Sequence, residues 1–132
     1  MGGKLIHAME RVLDVAKSIA FYESALELKL CERFDFDSFS LIYLRNELSP
    51  FELELTVNHG RTKPYEIGDG YGHLAVTVNS VEAEHARLSG CGIPVGPIRD
   101  FKHDGTTLAR FFFISDPDGY KIELIERGGR FL

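Results

Sequence analysis

The 132-residue sequence predicts an α+β protein made of two βαβββ modules, and three observations point there. A strand-then-helix pattern occurs twice, each copy ends in an alternating strand that carries a Glu-Leu step, and a histidine opens each copy. His73 follows His7 by nearly the interval at which Glu123 follows Glu54, which is the mark of an internal duplication. The repeats span about residues 4–58 and about 70–127, inside one domain covering 1–132.

The elements follow in order. KLIHAMERV, residues 4–12, alternates as a strand, and Asp14 then caps a helix whose Val15, Ile19, Tyr22 and Leu26 recur on one face. Strands are expected at about 28–34 and 39–45. FELELTV, residues 51–57, sets Phe51, Leu53, Leu55 and Val57 against Glu52, Glu54 and Thr56. NHGRTKPYEIGDGYG, residues 58–72, reads as a loop. In YGHLAVTV, residues 71–78, Leu74, Val76 and Val78 face one way and His73, Ala75 and Thr77 the other. Asn79 followed by Glu82 resembles a capping box for VEAEHARLSG, with Gly90 as its stop. Strands are then expected at about 93–98 and 107–114, with RDFKHDGT, residues 99–106, as a loop. The turn Asp116-Pro117-Asp118-Gly119 leads into GYKIELIE, residues 119–126.

Composition narrows the partners. A chain of this length with 44% hydrophobic residues supports one ordinary core. The formal charge of −5, without a basic cluster, argues against nucleic acid or an anionic membrane and for a small molecule. Cys31 and Cys91 stand alone, and no export signal or run of roughly 20 apolar residues occurs, so a soluble, reduced, cytoplasmic protein is expected.

Alternation turns Glu54 away from Leu53 and Leu55, and Glu123 away from Ile122 and Leu124, toward the side of each sheet that its helix leaves open. Singly, His7, Glu54, His73 and Glu123 read as ordinary polar strand residues. Their paired recurrence reads as two imidazoles and two carboxylates for a divalent first-row metal, because two converging carboxylates without a cation would repel each other. A donor set rich in oxygen and free of cysteine suits a six-coordinate ion with water in the remaining positions: nickel, cobalt, manganese or zinc, with nickel above manganese in affinity. His59, His85 and His103 lack an i, i+4 partner and are expected in solvent. Phe111, Phe112 and Phe113 are expected as strand core or dimer contact, with alternate rings lining an apolar pocket.

From LIHAMERV through FELELTVN, YGHLAVTV and DPDGYKIELIE, nearly its whole length, the chain resembles glyoxalase I (lactoylglutathione lyase) of the vicinal oxygen chelate superfamily. DPDGYKIEL together with GYGH and ELTVN carries the specific part of the likeness. The resemblance implies curved mixed sheets of the glyoxalase/bleomycin-resistance kind, paired across a homodimer. It implies a metal held by His7 and Glu54 from one unit and His73 and Glu123 from the other, with nickel or cobalt ahead of zinc or manganese. It implies isomerisation of the hemithioacetal of methylglyoxal and glutathione to S-lactoylglutathione through an enediolate, with Glu123 the first choice of base and Glu54 the second. Arg11 and Asn58 match positions that hold the glutathione moiety, and Lys102 is a candidate for its glycyl carboxylate. Glu10 stands where relatives commonly carry an apolar residue and is expected to compete for Arg11. The rival readings are an acyl-CoA epimerase, a thiol transferase acting on an antibiotic, and a metal-free drug-binding dimer. Extradiol dioxygenases need only two histidines and one carboxylate, so a second glutamate argues against them.

Overall fold

Both halves of the chain fold as strand, helix and three strands, in a computed structural model that describes all of residues 1–132. They form two units, Met1–Glu66 and Ile67–Leu132. The first holds β1 (His7–Arg11), α1 (Val15–Leu26), β2 (Lys29–Asp35), β3 (Phe39–Asn46) and β4 (Ser49–Asn58). Its strand order is β1-β4-β3-β2, with β1 parallel to β4 and the other neighbours antiparallel. The second holds β5 (Leu74–Val78), α2 (Val81–Gly90), β6 (Arg99–His103), β7 (Thr106–Ser115) and β8 (Lys121–Glu126), in the matching order β5-β8-β7-β6. Two mixed four-stranded sheets, each with one helix, are the α+β class expected from the repeat.

Capping chemistry sets the helix ends. Asp14 accepts a hydrogen bond from the Lys17 N–H at 3.1 Å, as expected of an N-cap. The α1 stripe Ser18, Tyr22 and Ala25 is buried, and Glu27 closes the helix in the left-handed region at φ 56°. For α2 the cap is Ser80, not Asn79: its hydroxyl accepts from the Ala83 N–H at 3.2 Å. Gly90 is the last helical residue, as expected of a stop, and the positive φ of 80° falls two residues on, at Gly92.

One strand lies elsewhere than expected. Residues 93–98 form no strand, and β6 instead occupies the start of the stretch 99–106 that reads as a loop. Asp104 and Gly105, with φ 51° and 77°, make a two-residue hairpin turn between β6 and β7. Positive φ at both central residues matches the right-handed strand twist, which is why Asp-Gly favours this turn. The polar composition of β6 hid it, since every residue of that strand is exposed.

Unit 1 buries Val12, Tyr22, Ile42, Leu44 and Leu55, and unit 2 buries Val81, Leu88, Phe112, Ile122 and Leu124, all fully. Glu10 also points inward: it is 2% exposed and accepts a hydrogen bond from the Tyr22 hydroxyl at 2.9 Å. Alternation along β1 places Glu10 and Arg11 on opposite faces, so the carboxylate expected to compete for the guanidinium is turned toward α1. Tyr22→Phe removes a donor from this buried carboxylate and is expected to destabilise the protein by about 1–3 kcal/mol. A lower urea midpoint at unchanged slope is the expected readout. No helix is long and apolar enough to cross a membrane, and Cys31 and Cys91 are both free thiols.

Candidate metal centre

Each unit brings one histidine to one glutamate. In unit 1, His7 pairs with Glu52 across β1 and β4, and Met9 pairs with Glu54. This leaves His7 Nε2 at 3.6 Å from Glu54 Oε2. In unit 2, Ala75 pairs with Glu123 across β5 and β8, and His73 lies just before the first residue of β5. Its Nε2 is 3.3 Å from Glu123 Oε1. The histidine therefore stands two residues ahead of the partner of its glutamate in both units, so the duplication extends to the register.

The exposure of these side chains suits a site open on one side. The histidines keep 35% and 40% of their side-chain surface, while the glutamates keep 13% and 16%. Two donors bound at right angles on a first-row ion stand about 3 Å apart. Separations of 3.3 and 3.6 Å are close to that bite, and imidazole with carboxylate is the donor chemistry such an ion takes. Each unit thus fits one half of a four-donor set. Groups of three or more His, Cys, Asp or Glu side chains able to hold a metal do not occur in the chain.

The residues expected to hold substrate lie on both units. Arg11 ends β1 on the His7 face and is exposed, and Asn58 ends β4 on the Glu54 face, half-buried. The Asn58 amide donates to the Tyr65 hydroxyl at 2.8 Å, and the Arg61 guanidinium lies 3.9 Å from the centre of the Tyr65 ring. Lys102 is exposed on β6 opposite Thr107. Farther along the hairpin, Arg110 of β7 stands opposite Asp100 and is committed to it at 3.1 Å and to Glu82 of α2. The Arg110 hydrogen bond holds the Glu82 carboxyl below its ordinary value, and the two acidic partners hold the guanidinium above its own.

The remaining histidines make no metal cluster, but they are not uniformly solvated. His59 is exposed yet reaches the Ser40 hydroxyl at 2.9 Å and the Asp37 carbonyl at 3.1 Å. His85, expected in solvent, is half-buried because its Nε2 meets the Gly96 carbonyl at 2.9 Å and its ring packs edge-on to Phe112. His103 remains exposed, beside Asp104. Of the three phenylalanines, Phe112 is core, while Phe111 and Phe113 are half-buried on the His73 face.

Sequence reasoning missed Tyr43. It faces Glu54 across β3 and β4. Interaction with the Glu54 carboxylate first, then burial, then the charge of Glu52, push the phenol up to about 12. Its ring also lies edge-on to His7 at 6.0 Å. Beside it opens a concavity of about 370 Å³, lined by Cys31, Glu32, Phe34, Tyr43, Arg45 and Glu52. Nothing in the local sequence distinguishes Tyr43 from a core aromatic residue until the register is known.

Comparison with known proteins gives a consistent set of relatives. Residues 4–124 match the Glyoxalase/Bleomycin resistance protein/Dioxygenase superfamily. The chain is 40% identical over 131 residues to the lactoylglutathione lyase of Shigella flexneri, an alignment that spans 93% of this chain and 92% of that protein. The trypanothione-dependent glyoxalase I of Leishmania major matches with a TM-score of 0.75 at 34% identity, over 95% of this chain and 87% of that one. Glyoxalase I of Zea mays matches with a TM-score of 0.83 at 30% identity, over 96% of this chain but 45% of that one.

Proposed function

Because the chain belongs to the Glyoxalase/Bleomycin resistance protein/Dioxygenase superfamily, and within it to the lactoylglutathione lyases, we propose that it isomerises the hemithioacetal of methylglyoxal and glutathione to S-lactoylglutathione. The observation that carries this reading beyond kinship is the His–Glu pair repeated at the same register in both units. His7, Glu54, His73 and Glu123 would together hold one divalent ion, nickel or cobalt before zinc or manganese. The pairs meet across a homodimer, unit 1 of one protomer facing unit 2 of the other. That ion, when bound, supplies Lewis-acid stabilisation for the negative charge that develops on the two adjacent substrate oxygens.

The chain's own groups do the rest. The Glu123 carboxylate takes the proton from C1 of the hemithioacetal, and the released electron pair forms a C1–C2 double bond and pushes the carbonyl pair onto the C2 oxygen. The proton then returns at C2 while the C1 hydroxyl proton passes to the C2 oxygen, leaving a thioester carbonyl at C1 and a hydroxyl at C2. Proton number and oxidation state balance, since one carbon is oxidised as its neighbour is reduced. Arg11 and Asn58, on the His7 and Glu54 face, hold the glutathione moiety, where a guanidinium and an amide suit carboxylate and peptide groups. Lys102 serves the glycyl carboxylate from the exposed hairpin. Phe111 and Phe113 give the His73 face an apolar surface suited to the substrate methyl group.

The test is direct. Protein freed of metal by a chelator and resupplied with nickel, cobalt or zinc is given the preformed hemithioacetal, and thioester absorbance is followed. Activity is expected to vanish in the chelated protein and to return with metal. Absence of thioester with every ion would overturn the assignment.

A further inference from the structure

Asn58 closes β4 and Tyr65 lies seven residues on, in the loop that follows, yet the Asn58 amide nitrogen donates to the Tyr65 hydroxyl oxygen at 2.8 Å. The loop is bent to make that contact. Gly60 takes φ 81°, which suits a residue without Cβ, and the Arg61 N–H returns to the Asn58 carbonyl at 3.3 Å. The Arg61 side chain then clamps the stretch ahead of it. Its Nε donates to the Lys63 carbonyl at 2.8 Å and a terminal nitrogen to the Pro64 carbonyl at 3.3 Å, while the guanidinium carbon stands 3.9 Å from the centre of the Tyr65 ring. Pro64 fixes its own φ and restricts Lys63, so the backbone that offers these carbonyls is stiff.

An asparagine amide has a donor end and an acceptor end, and its last torsion is roughly two-fold, so without a partner the two ends trade places. Tyr65 breaks that symmetry. With Nδ2 engaged, the acceptor Oδ1 is the end left over, and since no buried side-chain oxygen lacks a partner, Oδ1 reaches solvent. On the same face Arg11, opposite Thr56 and so diagonal to Asn58 across β1 and β4, supplies donors only. An acceptor beside a donor fork matches an ammonium beside a carboxylate, the two charges of a free α-amino acid end. We propose that Tyr65, clamped by Arg61, is a positioning residue for thiol recognition: it fixes Asn58 with Oδ1 available and so makes the site prefer a thiol whose far end carries a free amine. The inference rests on the reading above for glutathione as ligand, and neither the metal nor the proton transfer enters it.

Calorimetric titration of the nickel-supplied protein with S-methylglutathione, a thioether that cannot react, tests this in wild type, Tyr65→Phe, Asn58→Ala and the double variant. Tyr65→Phe keeps the ring under Arg61 and loses only the hydroxyl. It is expected to raise the Kd about three- to tenfold, the worth of one well-placed hydrogen bond, and to add nothing once Asn58 is alanine. With the S-methyl peptide that lacks the α-amino group, wild type and Tyr65→Phe are expected to bind alike. In turnover KM is expected to rise by the same factor at unchanged kcat, a split that a general loosening of the fold would not produce. A wild-type Kd in Tyr65→Phe, an undiminished effect in the Asn58→Ala background, or an equal loss with the amine-free peptide would overturn the proposal. Wild type that binds no S-methylglutathione overturns it too, whether or not thioester forms. Failure of the lyase reading looks different: wild type would bind S-methylglutathione and form no thioester, and the comparison of the variants would still decide the role of Tyr65.

Discussion

Glu123→Gln is expected to lower kcat by about 10²- to 10⁴-fold at saturating metal, the range that positioned proton transfer contributes. The amide keeps the shape of the side chain and an oxygen donor, so a bound ion retains a ligand there. What it loses is the ability to accept a proton from C1. The matching change Glu54→Gln acts on the carboxylate beside His7, and its larger effect is expected in metal affinity. Steady-state kinetics with nickel titrated to saturation separate the two. Equal kcat losses in both variants would mean that the glutamates share the proton, and a loss confined to Glu54→Gln would reverse their roles.

Phe112→Ala is expected to cost about 3–5 kcal/mol, the upper range for a single large-to-small change in a core. The ring is fully buried on β7, with His85 of α2 packed edge-on at 5.1 Å, and its removal leaves a void between helix and sheet. Natural domains hold about 5–15 kcal/mol in all, so such a variant is expected to lose a large share of its stability. Phe113→Ala, one residue on but half-buried on the opposite face, is expected to lose clearly less. Urea unfolding of the two variants side by side checks this, and equal losses would contradict the assignment of faces.

Most of the fold was legible because period and punctuation agree. FELELTV alternates cleanly and YKIELIE does so as far as Leu124, Asp14 caps α1, and the two copies corroborate each other. The misplaced strand shows what alternation cannot do. Arg99–His103 has no buried face, so its only signal was the Asp-Gly of its turn, which read as part of a loop. Asn79 and Ser80 are both good caps, and the choice fell to whichever residue the end of β5 left in extended geometry ahead of the helix; Ser80 has φ −146°. Glu10 was misjudged because adjacency in sequence suggested contact with Arg11, whereas a strand sends neighbours to opposite faces. The same-face relation of each histidine and glutamate needs only the alternation, and so could be read directly. Tyr43 could not, because its relation to Glu54 is a cross-strand pairing that depends on the length of the β3–β4 turn.

The claim on which the account depends is that one ion is held by His7 and Glu54 from one protomer and His73 and Glu123 from its partner. Nickel stoichiometry in a purified heterodimer of His7→Ala and His73→Ala chains tests it most directly. Each homodimer carries a defect in every site and is expected to bind nickel weakly. The heterodimer gathers both defects into one site and leaves the other intact, so it is expected to bind one ion per dimer with wild-type affinity. A heterodimer that binds no more nickel than its parents, or single variants that bind as tightly as wild type, would contradict the account.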